Sequence, residues 1–152
     1  MDKYYIFDLD GTIALIDHRR PILDTDDPHR WDKFYQACVK DIPNIAVIEI
    51  LKSLINNGYK IKIFSGRSES VRKETMEWLD DYVGRFYLNE IEIKMRPDKD
   101  YTPDDELKKK WFGELSEEER SNCMGIFDDR QRLVDMWRSL GLVCFQVAPG
   151  NF

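Results

Sequence analysis

The chain has few of the residues that build thiolate metal sites or disulfide frameworks. It has three cysteines, Cys38, Cys123 and Cys144, widely spaced and with no CxxC pair, and two histidines, His18 and His29. That pattern excludes a paired-thiolate zinc site and a disulfide scaffold. Cys123 and Cys144 lie in or beside apolar runs, where a buried thiol is the ordinary reading, and a reducing cytoplasm is the expected setting. The two histidines fall in a polar loop and suggest neither a metal site nor a histidine nucleophile. No apolar run approaches membrane-spanning length, no signal peptide is expected ahead of the first strand, and there is no internal repeat or low-complexity segment. Excess positive charge is also missing. With 23 Lys and Arg against 29 Asp and Glu, the net charge is −6 and the isoelectric point about 5.0. Such a balance argues against broad non-specific binding to nucleic acid, though not against a local basic cleft.

What is present is an ordinary globular composition, 42% apolar and 34% charged over 152 residues, which predicts one domain over 1–152 with a substantial core. The chain is organised around Tyr4-Tyr5-Ile6-Phe7-Asp8-Leu9-Asp10-Gly11-Thr12. Tyr4 to Phe7 is a short run of β-formers and predicts a buried strand. Ending such a strand in two carboxylates is costly unless something compensates the desolvated charge. A divalent cation does so, and hard oxygen ligands suit magnesium. Gly11 allows a sharp turn whose amides can face an anion.

Further along, Ile13 to Arg30 is polar and proline-containing and predicts a long functional loop. Trp31, Phe34, Tyr35 and Cys38 have helical spacing. A second helix follows Asp41 and Pro43, with an apolar face of Ile45, Val47, Ile48, Leu51, Leu54 and Ile55, and Asn57-Gly58 ends it. Tyr59 to Phe64 predicts a strand followed by the turn Ser65-Gly66-Arg67-Ser68. A helix with Val71, Thr75, Trp78, Leu79 and Tyr82 inward comes next. Phe86–Leu88 and Ile91–Met95 read as short strands, and Thr102-Pro103-Asp104-Asp105 starts a helix carrying Lys108 and Trp111. Cys123 to Phe127 predicts a strand ending in Asp128-Asp129, then come an amphipathic helix over Gln131 to Leu140 and a last strand, Leu142 to Val147. Strands alternating with helices predict an α/β fold, a Rossmann-like parallel sheet flanked by helices. A small helical cap is expected as an insertion over about residues 68–100.

Ligands of open α/β sheets bind beyond the carboxyl ends of the strands. Asp8, Asp10, Ser65, Asp128 and Asp129 all stand at predicted strand ends, so four carboxylates, a hydroxyl and two glycine-containing turns are expected to converge. Asp8 is suited to attack phosphorus and form an aspartyl-phosphate. Asp10 is placed to protonate the leaving oxygen and later deprotonate water. Ser65 is a donor to a phosphoryl oxygen, Asp128 and Asp129 extend the metal shell, and a lysine is needed to neutralise the phosphoryl charge. Lys108 is assigned that role within Lys108-Lys109-Lys110, because its neighbours project in other directions on a helix. Trp78, Trp111 and Trp137 are expected in the core. Trp31, Phe34 and Tyr87 are read as core too, with stacking on a base as the alternative.

Asp8-Leu9-Asp10-Gly11-Thr12, Ser65-Gly66-Arg67, Lys108 and Asp128-Asp129 resemble the four motifs of the haloacid dehalogenase-like (HAD-like) phosphatases, in their usual order. Asp128-Asp129-Arg130 with Val134 to Arg138, and Cys144 through Ala148-Pro149-Gly150-Asn151-Phe152, are similar to the carboxyl end of phage-type polynucleotide kinase-phosphatases. So are Arg19 with Pro21 and the run Ser65 to Glu69. The resemblance implies a Mg2+-dependent phosphatase that removes 3′-terminal phosphates from DNA or RNA ends. Its nucleophile would be Asp8 and its acid–base Asp10, which also lends a backbone carbonyl to the metal. The metal set would be Asp8, Asp10, Asp128 and Asp129. Thr12, Arg19, Gly66 and Arg67 would lie near the substrate phosphate or its nucleic-acid neighbour. No G-x-x-x-x-G-K-[ST] occurs, so 5′-kinase activity is not expected of this chain, which leaves room for a separate kinase or ligase as partner. Asp24, Asp26 and Asp27 make the first loop acidic, which keeps a small-molecule phosphatase such as a nucleotidase as the alternative.

Overall fold

The computed structural model describes residues 2–152. In chain order its strands are Tyr4–Phe7 (β1), Ala14–Leu15 (β2), Ile42–Pro43 (β3), Lys60–Ser68 (β4), Ile91–Arg96 (β5), Cys123–Asp128 (β6) and Cys144–Gln146 (β7). Its α-helices are Arg30–Gln36 (α1), Ile45–Asn56 (α2), Arg72–Tyr82 (α3), Arg85–Leu88 (α4), Asp104–Glu114 (α5), Glu117–Ser121 (α6) and Gln131–Ser139 (α7). Five strands form one parallel sheet in the order β5-β4-β1-β6-β7, with β1 at its centre. β2 and β3 form a separate antiparallel ribbon, Leu15 opposite Ile42.

The alternation of side chains along the strands divides the core in two. Phe7, Ile61, Ile63 and Phe127 point to one face, where Val47, Ile48 and Leu51 of α2 and Trp78 and Leu79 of α3 cover them. Ile6, Phe64 and Ile126 point to the other, covered by Leu107 and Trp111 of α5 and Leu133, Val134 and Trp137 of α7. Full burial of a large apolar side chain contributes about 1.5–3 kcal/mol each, so two such layers hold the strand ends in fixed register. Trp78, Trp111 and Trp137 are core residues as expected, 4%, 4% and 0% exposed.

Two local expectations are corrected. Phe86–Leu88 is not a strand but the inner part of the one-turn helix α4, with Phe86 pointing outward at 72% exposure. A three-residue apolar run carries no period long enough to separate strand from helix. Residues 68–100 do not form an inserted cap. They supply a short 3-10 turn (Glu69–Val71), α3, α4 and β5, an ordinary crossover from β4 to the edge of the main sheet. The segments that overhang the strand ends are instead those around the 3-10 turn Arg20–Asp24 and α1, together with the loop between β5 and α5. Ser65, Gly66, Arg67 and Ser68 lie within β4, whose pairing with β5 is irregular between Ser65 and Ser68.

Candidate active site

Parallel strands β1 and β6 are neighbours, so Asp8, just past the end of β1, meets Asp128, the last residue of β6, and Asp129. The three carboxylates are buried, 8%, 1% and 2% exposed, and each offers an oxygen within 4.8 Å of the others. Their counter-charge comes from α5, where Lys108, itself 2% exposed, donates from Nζ to Asp8 Oδ1 at 2.7 Å and lies 3.8 Å from Asp128 Oδ2. Arg20 Nη2 stands 3.8 Å from Asp129 Oδ2, and Trp137 Nε1 donates to Asp128 Oδ2 at 3.4 Å.

One buried lysine does not balance three buried acids. Burial, with the charges of Asp128 and Asp129 added, pushes the Asp8 carboxyl well above the usual carboxylate range despite Lys108. Burial first and Asp128 second push Asp129 up to about 6. Burial alone would lower the Lys108 ammonium, yet Asp8 and Asp128 hold it above its ordinary value. A hard divalent cation fits this donor set of crowded, under-compensated oxygens. Gly11 makes the crowding possible: its φ is +83°, and a Cβ there would stand 2.1 Å from Asp129 Oδ2.

Asp10 takes a different place from the other three acids. Its Oδ1 accepts from Arg19 Nη2 at 2.8 Å and from Arg67 Nη2. The same two guanidiniums bind Asp41, Arg19 Nε to Oδ1 at 2.8 Å and Arg67 Nη2 to Oδ2 at 3.0 Å, and His18 Nε2 lies 2.6 Å from Asp41 Oδ1. Two arginines and two aspartates balance one another, which is what permits Arg19 (0%), Arg67 (1%) and Asp41 (3%) to be buried. Burial would raise the Asp10 carboxyl, but Arg67 and Arg19 outweigh it and hold the group below its ordinary value.

Arg19 and Arg67, expected at the substrate phosphate, therefore face carboxylates, and neither lines the cleft. Ser65 is buried behind the cleft surface, its hydroxyl accepting the Arg67 N–H at 3.1 Å, while Gly66 lines the cleft itself. Thr12 is fully buried, with its amide on the Leu9 carbonyl at 3.2 Å and its carbonyl accepting from Asn44 Nδ2 at 3.0 Å, so it shapes the turn. Several residues at the site carry no signal in the sequence. Asp41 reads only as a helix-start acid. Arg96 donates to Gly66 O at 2.8 Å and Thr102 O at 2.6 Å and pairs with Asp104, tying the end of β4 to the start of α5. An arginine in a strand and an acid in a first helical turn are each unremarkable until the sheet brings them together.

The strand ends open into a cleft of about 1220 Å3 whose floor includes Asp8, Asp128, Asp129 and Lys108 and whose walls come from α1, Arg20, the loop before α5, and Arg130 and Phe152. Among the described residues, no helix is long and apolar enough to cross a membrane.

Residues 2–152 match the family model described as the polynucleotide kinase PNKP phosphatase domain. The chain belongs to this family. It is 32% identical over 134 residues, 88% of its length, to a protein of Autographa californica nuclear polyhedrosis virus named for bifunctional polynucleotide kinase and RNA ligase activity. It spans 17% of that viral relative. Among solved structures it aligns over its whole length, with a TM-score of 0.79 and 32% identity, to 44% of a chain in the Pnkp1/Rnl/Hen1 RNA repair complex. At 12% identity, CbbY from Rhodobacter sphaeroides in complex with phosphate shares the fold alone, with a TM-score of 0.62, 100% of this chain and 88% of that one. The chain is thus a PNKP-type, HAD-like phosphatase domain, a phosphomonoester hydrolase, and it spans less than half the length of the first two relatives.

Proposed function

We propose that this domain removes the terminal phosphate from 3′-phosphorylated DNA or RNA ends through an aspartyl-phosphate on Asp8, in the repair of nucleic-acid ends. The observation that carries the reading is the division of labour between Asp8 and Asp10. Asp8 faces the cleft floor in a cluster of acids with Lys108, whereas Asp10 is held by two arginines. Asp8, Asp128 and Asp129, with the backbone carbonyl of Asp10, would hold magnesium, which when bound supplies positive charge against the phosphoryl oxygens.

In the first step an Asp8 carboxylate oxygen bonds to phosphorus and the bond from phosphorus to the 3′ oxygen breaks. Asp10, which must enter this step protonated although Arg19 and Arg67 favour its carboxylate, gives its proton to that oxygen, leaving a free 3′ hydroxyl. Water then attacks the phosphoryl group, Asp10 takes the water proton, and the Asp8–phosphorus bond breaks to release inorganic phosphate. Lys108 neutralises phosphoryl charge throughout, and the backbone at Gly66, fixed by the Ser65 hydroxyl on the Arg67 amide, positions its oxygens. Arg19 and Arg67 fix the Asp10 carboxyl. Phosphate-monoester hydrolysis is so slow uncatalysed that positioning and charge stabilisation together supply roughly 20 kcal/mol or more. Kinase and ligase activities on the same ends are the steps it would work beside, activities that the viral relative is named for.

Phosphate release, followed with magnesium and with chelator, tests the substrate. The panel is a 3′-phosphorylated oligonucleotide, nucleoside monophosphates and a generic aryl phosphate. Magnesium-dependent preference for the oligonucleotide is expected. Preference for the mononucleotides would move the domain to a nucleotidase role, the reading that the acidic residues of the cleft walls favour.

A further inference from the structure

The cleft carries more aromatic surface than the chemistry at Asp8 uses. Trp31 of α1 is 45% exposed and Tyr101, in the loop before α5, is 83% exposed, and both line the cleft. Trp31 is braced by Phe34, perpendicular at 5.9 Å between ring centroids, and by Tyr35, also at 5.9 Å. Phe34 is buried, with the Arg19 guanidinium 4.4 Å from its ring centroid, so the brace is continuous with the network that holds Asp10. Leaving a tryptophan half open costs burial that the other three achieve.

Of the cations that line the cleft, the arginines and Lys108 are, by contrast, engaged, which leaves Lys99. Arg20 lies 3.6 Å from Asp17 and 3.8 Å from Asp129, with its guanidinium 3.9 Å from the centroid of the Phe152 ring. Arg96 pairs with Asp104, Arg130 with Asp104 at 3.4 Å, and Arg132 with Asp105 at 3.0 Å. Asp24, Asp32 and Asp98 add negative charge to the walls. Such a surface is poorly suited to a run of backbone phosphates, each of which needs a free cation. Aromatic faces bind nucleobases without that need, because every base has a π face.

We propose that Trp31 and Tyr101 form a nucleobase platform, on which bases of an unpaired 3′ end stack while the terminal phosphate sits at Asp8 and Lys108. The inference rests on the polynucleotide reading above and makes it more specific: the end is recognised through its bases more than through its backbone charge.

Trp31 is the one tryptophan with substantial exposure, so its emission reports the platform directly. The Asp8→Asn protein is titrated, with magnesium, with a 3′-phosphorylated oligonucleotide, with the same oligonucleotide made abasic at its last positions, and with inorganic phosphate. The base-bearing oligonucleotide should quench the emission, the other two should not, and adding Trp31→Phe should remove the quench. In the active protein, Trp31→Ala should lower the ratio of kcat/KM for the oligonucleotide to that for glycerol phosphate about tenfold, within the range for one stacked base. Tyr101→Ala should lower it in the same direction. Equal quenching and equal turnover of base-bearing and abasic ends, or an unchanged ratio in both variants, would overturn the platform while leaving the 3′-phosphatase reading in place. Hydrolysis of glycerol phosphate or mononucleotides with none of the oligonucleotide would overturn the polynucleotide reading itself, and the platform with it.

Discussion

Arg67 shows how much a single residue's partners decide its role. Its guanidinium joins Asp10 to Asp41 and donates from Nη1 to Thr75 Oγ1 at 3.0 Å, all out of solvent. Arg67→Ala should therefore damage the acid–base group, cutting kcat on an oligonucleotide and on a small aryl phosphate by the same factor, about a hundredfold. Leaving buried acids uncompensated should also destabilise the fold by about 3–5 kcal/mol, read from denaturant unfolding. A loss confined to the oligonucleotide would return Arg67 to the substrate. That Asp8, Asp10, Lys108 and Asp128-Asp129 would meet at one edge was legible because each stands at the end of an apolar run or in a helix with a clear period. Asp41 was not: a lone acid ahead of Pro43 has no local signature, and only the fold brings it to Arg19 and Arg67.

At the scale of the element, α7 links the core to the acid cluster. Trp137 is fully buried against Phe64 and Phe112, with centroids at 6.5 and 5.9 Å, and also donates to Asp128. Trp137→Phe retains an aromatic ring but loses volume and the donor, so about 1–3 kcal/mol of stability should be lost. If Asp128 helps hold the metal, the magnesium concentration for half-maximal activity should rise as well. A stability loss with an unchanged magnesium requirement would confine Trp137 to packing. The helices and central strands were readable from periodicity, which is strong over ten residues. The three-residue run Phe86–Leu88 was not, because its neighbours and the preceding Gly84 decide its conformation. The cap was misplaced for a related reason. The pattern over 68–100 gave the elements but not that β5 pairs with β4, while the segment that does overhang the cleft, Ile13 to Arg30, showed only the absence of a period.

For the whole molecule, a net charge of −6 and a cleft whose arginines already face acids argue for few contacts to a nucleic-acid backbone. The dependence of log kcat/KM for the oligonucleotide on log salt should have a slope of about −1 to −2, corresponding to one to three single-strand phosphates at roughly −0.7 each. A slope near −6 would require a basic track that these pairings leave no room for. The claim that joins every scale is that Asp8 carries the phosphoryl group of a 3′ end, and label transfer tests it most directly. An oligonucleotide radiolabelled in its 3′-terminal phosphate is mixed with the domain and magnesium, quenched in acid within one turnover, and the protein is counted. The account predicts transient label on the wild-type protein, released by hydroxylamine, and none on Asp8→Asn, which should also release no phosphate. Phosphate release without labelled protein, or ordinary turnover by Asp8→Asn, would contradict it.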